Sequence, residues 1–242
     1  MPAAVVTGSS RGIGRAIALR FAEDGYDVAV NYHTSEEAAE RVASEVRERG
    51  REAVVVGADV SEPAEATDLV ETAADAFGGI DHLVNNAGID QHVYTEELDP
   101  ADFDRVMDVN VNSAFSTTKA ALAHLRDSED DPSVTNVSSI LAHTGAPIEC
   151  HYASSKGALV SLTRSHARDF APGIRVNCVA PGHVETDMTA DRTPEEMREE
   201  MAAIPVERFG RPGDIADAVA YLRDAGFVTG ETLNVNGGEE MR

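Results

Sequence analysis

The sequence predicts an α/β fold: a single-domain, doubly wound sheet of seven parallel strands with helices on both faces. Three observations predict it. Short apolar runs alternate with longer stretches of helical periodicity along the whole chain. The length of 242 residues, with no linker, repeat or low-complexity segment, suits one α/β domain. A glycine-rich turn, Thr7-Gly8-Ser9-Ser10-Arg11-Gly12-Ile13-Gly14, sits at the first strand–helix junction.

Taken in order, residues 3–7 read as a strand and 12–24 as a helix. Residues 28–31 form the second strand, followed by a helix over 35–49 that carries its charges on one face. The third strand is 53–57, and Ser61 begins a helix over 63–77. Strand 82–85 leads to a long helix over 103–125, strand 133–137 to a helix over 152–170, and strand 174–179 to a helix over 214–222. A last strand covers 232–235. Residues 127–132 read as a polar loop and 181–205 as a long irregular stretch, with a substrate lid expected at about 183–210.

Charge excludes some partners. The chain has 43 acidic and 20 basic residues, a formal charge of −23, and only Lys119 and Lys156 are lysine. Such a surface repels nucleic-acid phosphate and anionic membrane. The acids are spread over the whole length, which fits a protein kept hydrated in a high-salt cytoplasm better than an acidic tail. Self-repulsion at low salt is screened over a Debye length of about 10 Å at 0.1 M. Cys150 and Cys178 have neither a disulfide framework nor metal-ligand spacing, so a reducing cytoplasm is expected. The first residues enter an apolar strand without a charged leader, and no apolar run approaches the ~18–20 residues of a membrane span.

The glycine turn points to a dinucleotide. Glycines at 8, 12 and 14 permit a tight turn and close backbone approach to a pyrophosphate, and the helix behind them offers free N–H groups and a positive dipole end. Tyr152 and Lys156, four residues apart, share one face of a helix. A tyrosine has an ordinary pKa of about 10, and an ammonium nearby stabilises its phenolate. Hydride transfer to a carbonyl needs such a proton donor at the oxygen that gains charge. The scarcity of lysine sharpens the case for Lys156, while Lys119 reads as a surface residue.

The glycine spacing, Asn85-Asn86-Ala87-Gly88 after the fourth strand, Asn110 in the next helix, Ser139 thirteen residues before Tyr152, and Pro181-Gly182 with Thr186 together resemble the short-chain dehydrogenase/reductase family over residues 5–238. The resemblance implies a Rossmann fold with Ser139, Tyr152, Lys156 and Asn110 as catalytic residues. Tyr152 would be the acid in reduction and the base in oxidation. Lys156 would also hold the nicotinamide ribose, Ser139 would hydrogen-bond the substrate oxygen, and Asn110 would support a water relay behind the lysine. The spacing selects Ser139 over Ser138. Cofactor contacts are implied for Gly8, Ser10, Arg11, Gly12, Ile13 and Gly14 at the pyrophosphate turn. They are implied for Asn31, His33 and Thr34 at the ribose, and for Asp59, Val60, Asn86, Ala87 and Gly88 around the adenine and the cleft floor. Pro181, Gly182, Val184 and Thr186 would hold the carboxamide. Asp59 also reads as a helix N-terminal acid.

NADP(H) is the expected cofactor. The second strand ends Asn31-Tyr32-His33-Thr34 without the acid that NAD-preferring members of the family usually carry there, and Arg11 stands where members that bind a 2′-phosphate often carry a basic residue. Residues 179–189, 210–216 and 227–238 resemble the 3-oxoacyl reductase branch, which implies a 3-oxoacyl thioester on coenzyme A or acyl carrier protein. The acidic stretch 127–131 would not attract an acidic carrier, so coenzyme A is preferred. A sugar or polyol dehydrogenase is the alternative within the family, and a non-catalytic cofactor-binding regulator the remote one. His143, Cys150, His151 and Met188 are expected around the pocket, with His151, which points elsewhere on the helix, read chiefly as a structural residue. The resemblance also implies a homotetramer built on the helices over 103–125 and 152–170 and on the last strand. No metal is expected.

Overall fold

In the computed structural model, residues 1–186 and 193–241 are described. Seven parallel strands lie in the order β3-β2-β1-β4-β5-β6-β7. They are β1 (Ala3–Val6), β2 (Asp27–Tyr32), β3 (Ala53–Gly57), β4 (His82–Asn85), β5 (Ser133–Val137), β6 (Arg175–Pro181) and β7 (Thr232–Val235). The order reverses direction between β1 and β4. The crevice outside the carboxyl ends of these two strands is where a doubly wound sheet binds ligands.

Both faces of the sheet are covered. In β1, Ala4 and Val6 face one layer and Val5 the other, the period-two alternation of a strand. On the first face Ala4, Val6, Val28 and Val30 pack on Ile17 and Phe21 of α1 (Gly12–Glu23), Val42 and Val46 of α2 (Glu36–Glu48), and Ile215 and Val219 of α9 (Pro212–Asp224). On the second, Val5, Leu83, Val134 and Val176 meet Leu69 and Val70 of α3 (Pro63–Phe77), and Leu125 of α5 (Ser113–Asp127). Burial of one such side chain contributes roughly 1.5–3 kcal/mol.

The helical run expected over 103–125 is not one helix. It begins earlier, as α4 (Pro100–Met107), because Asp99 caps it through Ala101 N and Pro100 fills the first turn. It then widens into a single π turn, Asp108–Asn112, before α5 starts. Two further helices lie where loops were expected: α6 (Leu141–Thr144) after β5, and α8 (Pro194–Ala203) within 181–205. Between them α7 (Cys150–Asp169) carries Tyr152 and Lys156. β6 continues through Pro181, since Ile140 N and Gly182 N extend its pairing to both neighbours. Among the described residues no helix is long and apolar enough to cross a membrane.

At the opposite end of the sheet from the cleft, His82 starts β4, 2% exposed, with Nδ1 2.9 Å from Ser133 Oγ. Its ring meets Phe21 and Tyr26 edge-on, and the Arg223 guanidinium lies 4.8 and 4.5 Å from those two ring centres. Burial, then Arg223, pulls the imidazole pKa from 6.5 down to about 4. The unfolded chain therefore binds the proton first as pH falls, and stability present above pH 6.5 is lost toward pH 4. The size of the loss is on the order of 3 kcal/mol. Denaturant unfolding followed from pH 7 to 4 should show a shallower acid decline in His82→Asn than in the parent chain. Equal slopes would contradict this.

Candidate active site

The glycine turn is fastened from two sides. Gly8 takes φ +61°, and its N–H donates to Asn31 Oδ1 at 3.0 Å. From the other side Asn86 Nδ2 donates to Thr7 O and Gly8 O at 2.9 and 3.1 Å, while Thr7 Oγ1 accepts from Asn86 N and Ala87 N. A Cβ on Gly14 would lie 2.4 Å from Gly8 O and 2.5 Å from Asn86 Nδ2, so the turn and the loop after β4 close around a position that only glycine fits. No side chain caps the start of α1, which leaves its first N–H groups for an anion. Ile13 packs into the core, and Ser10 is half-buried.

Of the residues expected at the ribose, Asn31 is committed elsewhere. Its side chain is buried, accepts from Gly8 N, and donates toward Val56 O and Ala58 O. It braces the turn and the end of β3 with no side-chain donor left for a ligand. His33 and Thr34 are exposed beside it, and His33 Nε2 stands 3.5 Å from Asp59 Oδ2. Asp59 accepts from Ser61 N and Oγ at 3.0 and 2.6 Å. Burial raises its pKa, but the Ser61 bonds and His33 prevail and the carboxyl sits below its ordinary value. Val60 is buried next to it. The Arg11 guanidinium is exposed and makes no ion pair or hydrogen bond among the described residues.

Across the cleft, Pro181 ends β6, and Gly182 lies so close to Asn236 that a Cβ would stand 2.8 Å from its Cβ. Val184 is buried and bridges to Gly210. Thr186 faces the glycine turn: a Cβ on Gly12 would lie 3.7 Å from its Cγ2. The turn and the expected carboxamide segment thus meet over the sheet's switch point. Met188 lies outside the described residues, as does part of the expected lid.

The predicted catalytic residues converge. Lys156 Nζ donates to Val137 O at 2.9 Å and lies 5.3 Å from the Tyr152 ring centre. A Cβ on Gly88 would come within 3.4 Å of Nζ and 3.3 Å of Asn110 Oδ1, so glycine there admits both groups. The Ser139 hydroxyl accepts from Leu141 N at 3.1 Å and stands near enough to the Tyr152 phenol to lower its pKa. Ser138 instead donates to Lys156 O at 2.7 Å, a brace on α7. Asn110, turned inward by the π turn, accepts from Ile89 N and donates to Ile89 O and to Ser155 Oγ.

Electrostatics in the cleft run against the simplest expectation from Lys156. Burial, and then the carboxylates of Asp90 and Glu149, raise the Tyr152 phenol above its usual value, with the Ser139 bond opposing. Burial lowers Lys156 to about 8, against the partial opposition of Cys178 and Asp90. The phenol is therefore protonated at neutral pH, while most of the ammonium keeps its charge. Asp90 and Glu149 escaped the sequence reading. Each lies a few residues from a recognised motif, Gly88 or Tyr152, but only the fold brings them together. Of the other expected pocket residues, His143 and Cys150 are half-buried, and His151 is fully buried with neither ring nitrogen hydrogen-bonded among the described residues.

Residues 8–240 match the family model described as Enoyl-(Acyl carrier protein) reductase. A 3-oxoacyl-[acyl-carrier-protein] reductase FabG of Staphylococcus aureus is 40% identical, with 98% of each chain covered. Glucose 1-dehydrogenase 2 of Bacillus subtilis is also 40% identical, over 97% of this chain and 93% of its own. Among solved structures, a short-chain dehydrogenase of Burkholderia cenocepacia in complex with NADP has a TM-score of 0.93 at 36% identity, covering 98% of this chain and 97% of its own.

The close approach at Gly14 gives a direct check. Gly14→Ala should destabilise the chain by about 1–3 kcal/mol through overpacking against backbone and weaken nicotinamide dinucleotide binding in parallel. Calorimetric melting and fluorescence titration measure the two. An unchanged melting point with unchanged affinity would show that the turn is not closed in this way.

Proposed function

The chain belongs to the short-chain dehydrogenase/reductase family, and from that premise we propose that this oxidoreductase uses NADPH to reduce the 3-oxo group of an acyl thioester, carried on coenzyme A in preference to acyl carrier protein. The observation that carries the reading is Lys156 Nζ lying 5.3 Å from the Tyr152 ring centre, with Ser139 near a phenol whose burial favours its protonated form. The likeness to the staphylococcal reductase supports the substrate class. A sugar or polyol is the second reading. It is favoured by the equal identity to the glucose dehydrogenase and by Asp90 and Glu149 near the phenol, where carboxylates accept from hydroxyl groups.

The residues present fit the cofactor. The uncapped start of α1 and the glycine turn suit its pyrophosphate, the unpaired Arg11 guanidinium a 2′-phosphate, and Thr186 with Gly182 the carboxamide. Bound there, the nicotinamide supplies the hydride. Tyr152 Oη gives its proton to the substrate oxygen as charge develops on it, and Ser139 Oγ donates a hydrogen bond to the same oxygen. Lys156 Nζ holds the ribose hydroxyls and steadies the phenolate that remains. Asn110 ties Ile89 to Ser155, which keeps Gly88 against Lys156. Assembly into a homotetramer through α5, α7 and β7 is part of the same reading, supported by the exposed Phe115 and Phe227.

Acetoacetyl-CoA, glucose and ribitol should be compared as substrates in molar potassium chloride. Acetoacetyl-CoA with NADPH should give the highest kcat/KM, and a sugar turned over faster would establish the second reading instead. Tyr152→Phe should lower reduction at least ~100-fold. Survival of more than a few per cent of the activity would overturn the assigned acid. Arg11→Ser should lower kcat/KM for NADPH by ~10-fold or more and leave NADH little changed. A native preference for NADH would overturn the cofactor assignment.

A further inference from the structure

Three metal-ligating side chains meet on the rim of the cleft. Asp90 and His92 come from the loop after β4, and Glu149 is the residue that caps α7, three before Tyr152. His92 Nε2 lies 3.3 Å from Asp90 Oδ2 and 3.3 Å from Glu149 Oε1, and the three ligand atoms fall within 4.8 Å of one another. The two segments are tied together next to the group, where Val93 N donates to Ile148 O at 2.7 Å.

Ordinary ion pairing describes this group poorly. A charge-assisted N–H···O bond runs to about 2.7–2.9 Å, and a single hydrogen on Nε2 serves one carboxylate well. Here the nitrogen stands 3.3 Å from an oxygen of each acid, so neither pair is the short one. Ligand atoms around a tetrahedral ion with bonds of about 2.0–2.2 Å lie about 3.3–3.6 Å apart, which is the spacing from the histidine to both acids. The carboxylate side chains are only 11% and 17% exposed, so their charge is partly withdrawn from water, whereas the imidazole is 61% exposed. Within the group itself, two carboxylates face one imidazole. The same two carboxylates are the charges that Tyr152 feels most strongly.

We propose that Asp90, His92 and Glu149 form a binding site for a divalent cation on the rim of the active-site cleft. The donor set of one nitrogen and two carboxylate oxygens suits a borderline ion such as zinc, cobalt or manganese, and the imidazole disfavours calcium and magnesium. With three protein ligands the ion keeps at least one position open toward the cleft or solvent. Its charge offsets the two carboxylates, so the Tyr152 phenol becomes easier to ionise when the ion is bound.

The test is a titration of the chelator-stripped full chain with Co2+ in molar potassium chloride, which screens diffuse attraction to the other carboxylates. The expected result is saturation at one Co2+ per chain, with the visible absorption of a four- or five-coordinate ion, and displacement by Zn2+. His92→Ala and Glu149→Gln should each weaken binding at least ~10-fold, with melting points in chelator unchanged from the parent. If one of them fails to fold, Asp90→Asn takes its place. Binding that never saturates, a spectrum of hydrated Co2+ throughout, or affinity untouched by these substitutions would overturn the site. Substrate takes no part in the titration, so failure of the reductase reading leaves this result standing.

Discussion

The cleft depends on buried asparagine amides that must find partners. Asn31 at the end of β2, Asn85 and Asn86 at the end of β4, Asn110 in the π turn, Asn136 in β5 and Asn177 in β6 each bond across elements. Asn85 alone joins β4 to Asn136 of β5 and to Thr117 and Thr118 of α5, and Asn136 passes on to Thr163 of α7. A buried amide left unmatched costs about 1–3 kcal/mol per group, so shifting any one of these strands by a residue would break several bonds together. The apolar layers hold the sheet, but they do not decide which loop meets which at its carboxyl end. The amides do, and they thereby fix the distance from the glycine turn to Lys156.

That frame explains the protonation pattern in the cleft. Withdrawing Tyr152 and Lys156 from water favours the neutral form of each. Asp90 and Glu149 reinforce the effect on the tyrosine, whereas Asp90 resists it on the lysine. The two acids therefore keep the proton on the donor, and Asp90 also helps keep the charge on its neighbour.

Much of this was legible because period and punctuation do not depend on tertiary context. The bounds of β3, β4, β5, α3 and β7 follow from where apolar runs and turn residues begin and end. The break at Asp108–Asn112 was not legible, since one extra residue in a turn leaves the helical pattern on either side intact. Helix α8 hid among proline and acids in a stretch that resembles a loop. The bracing role of Asn31 was hidden for a related reason. Its position at the end of β2 suggests a ribose contact, yet its amide has closer work bracing Gly8. The group of Asp90, His92 and Glu149 spans nearly sixty residues and exists only once the loop after β4 meets the start of α7.

The two lysines occupy opposite surroundings: Lys156 is 3% exposed inside the cleft, and Lys119 lies in the open on α5. Acylating reagents, surface couplings and amine-directed dyes will therefore find one side-chain amine and the amino terminus, with the arginine-rich remainder inert to them. Such reagents therefore leave the lysine of the cleft untouched, shielded by the fold around it.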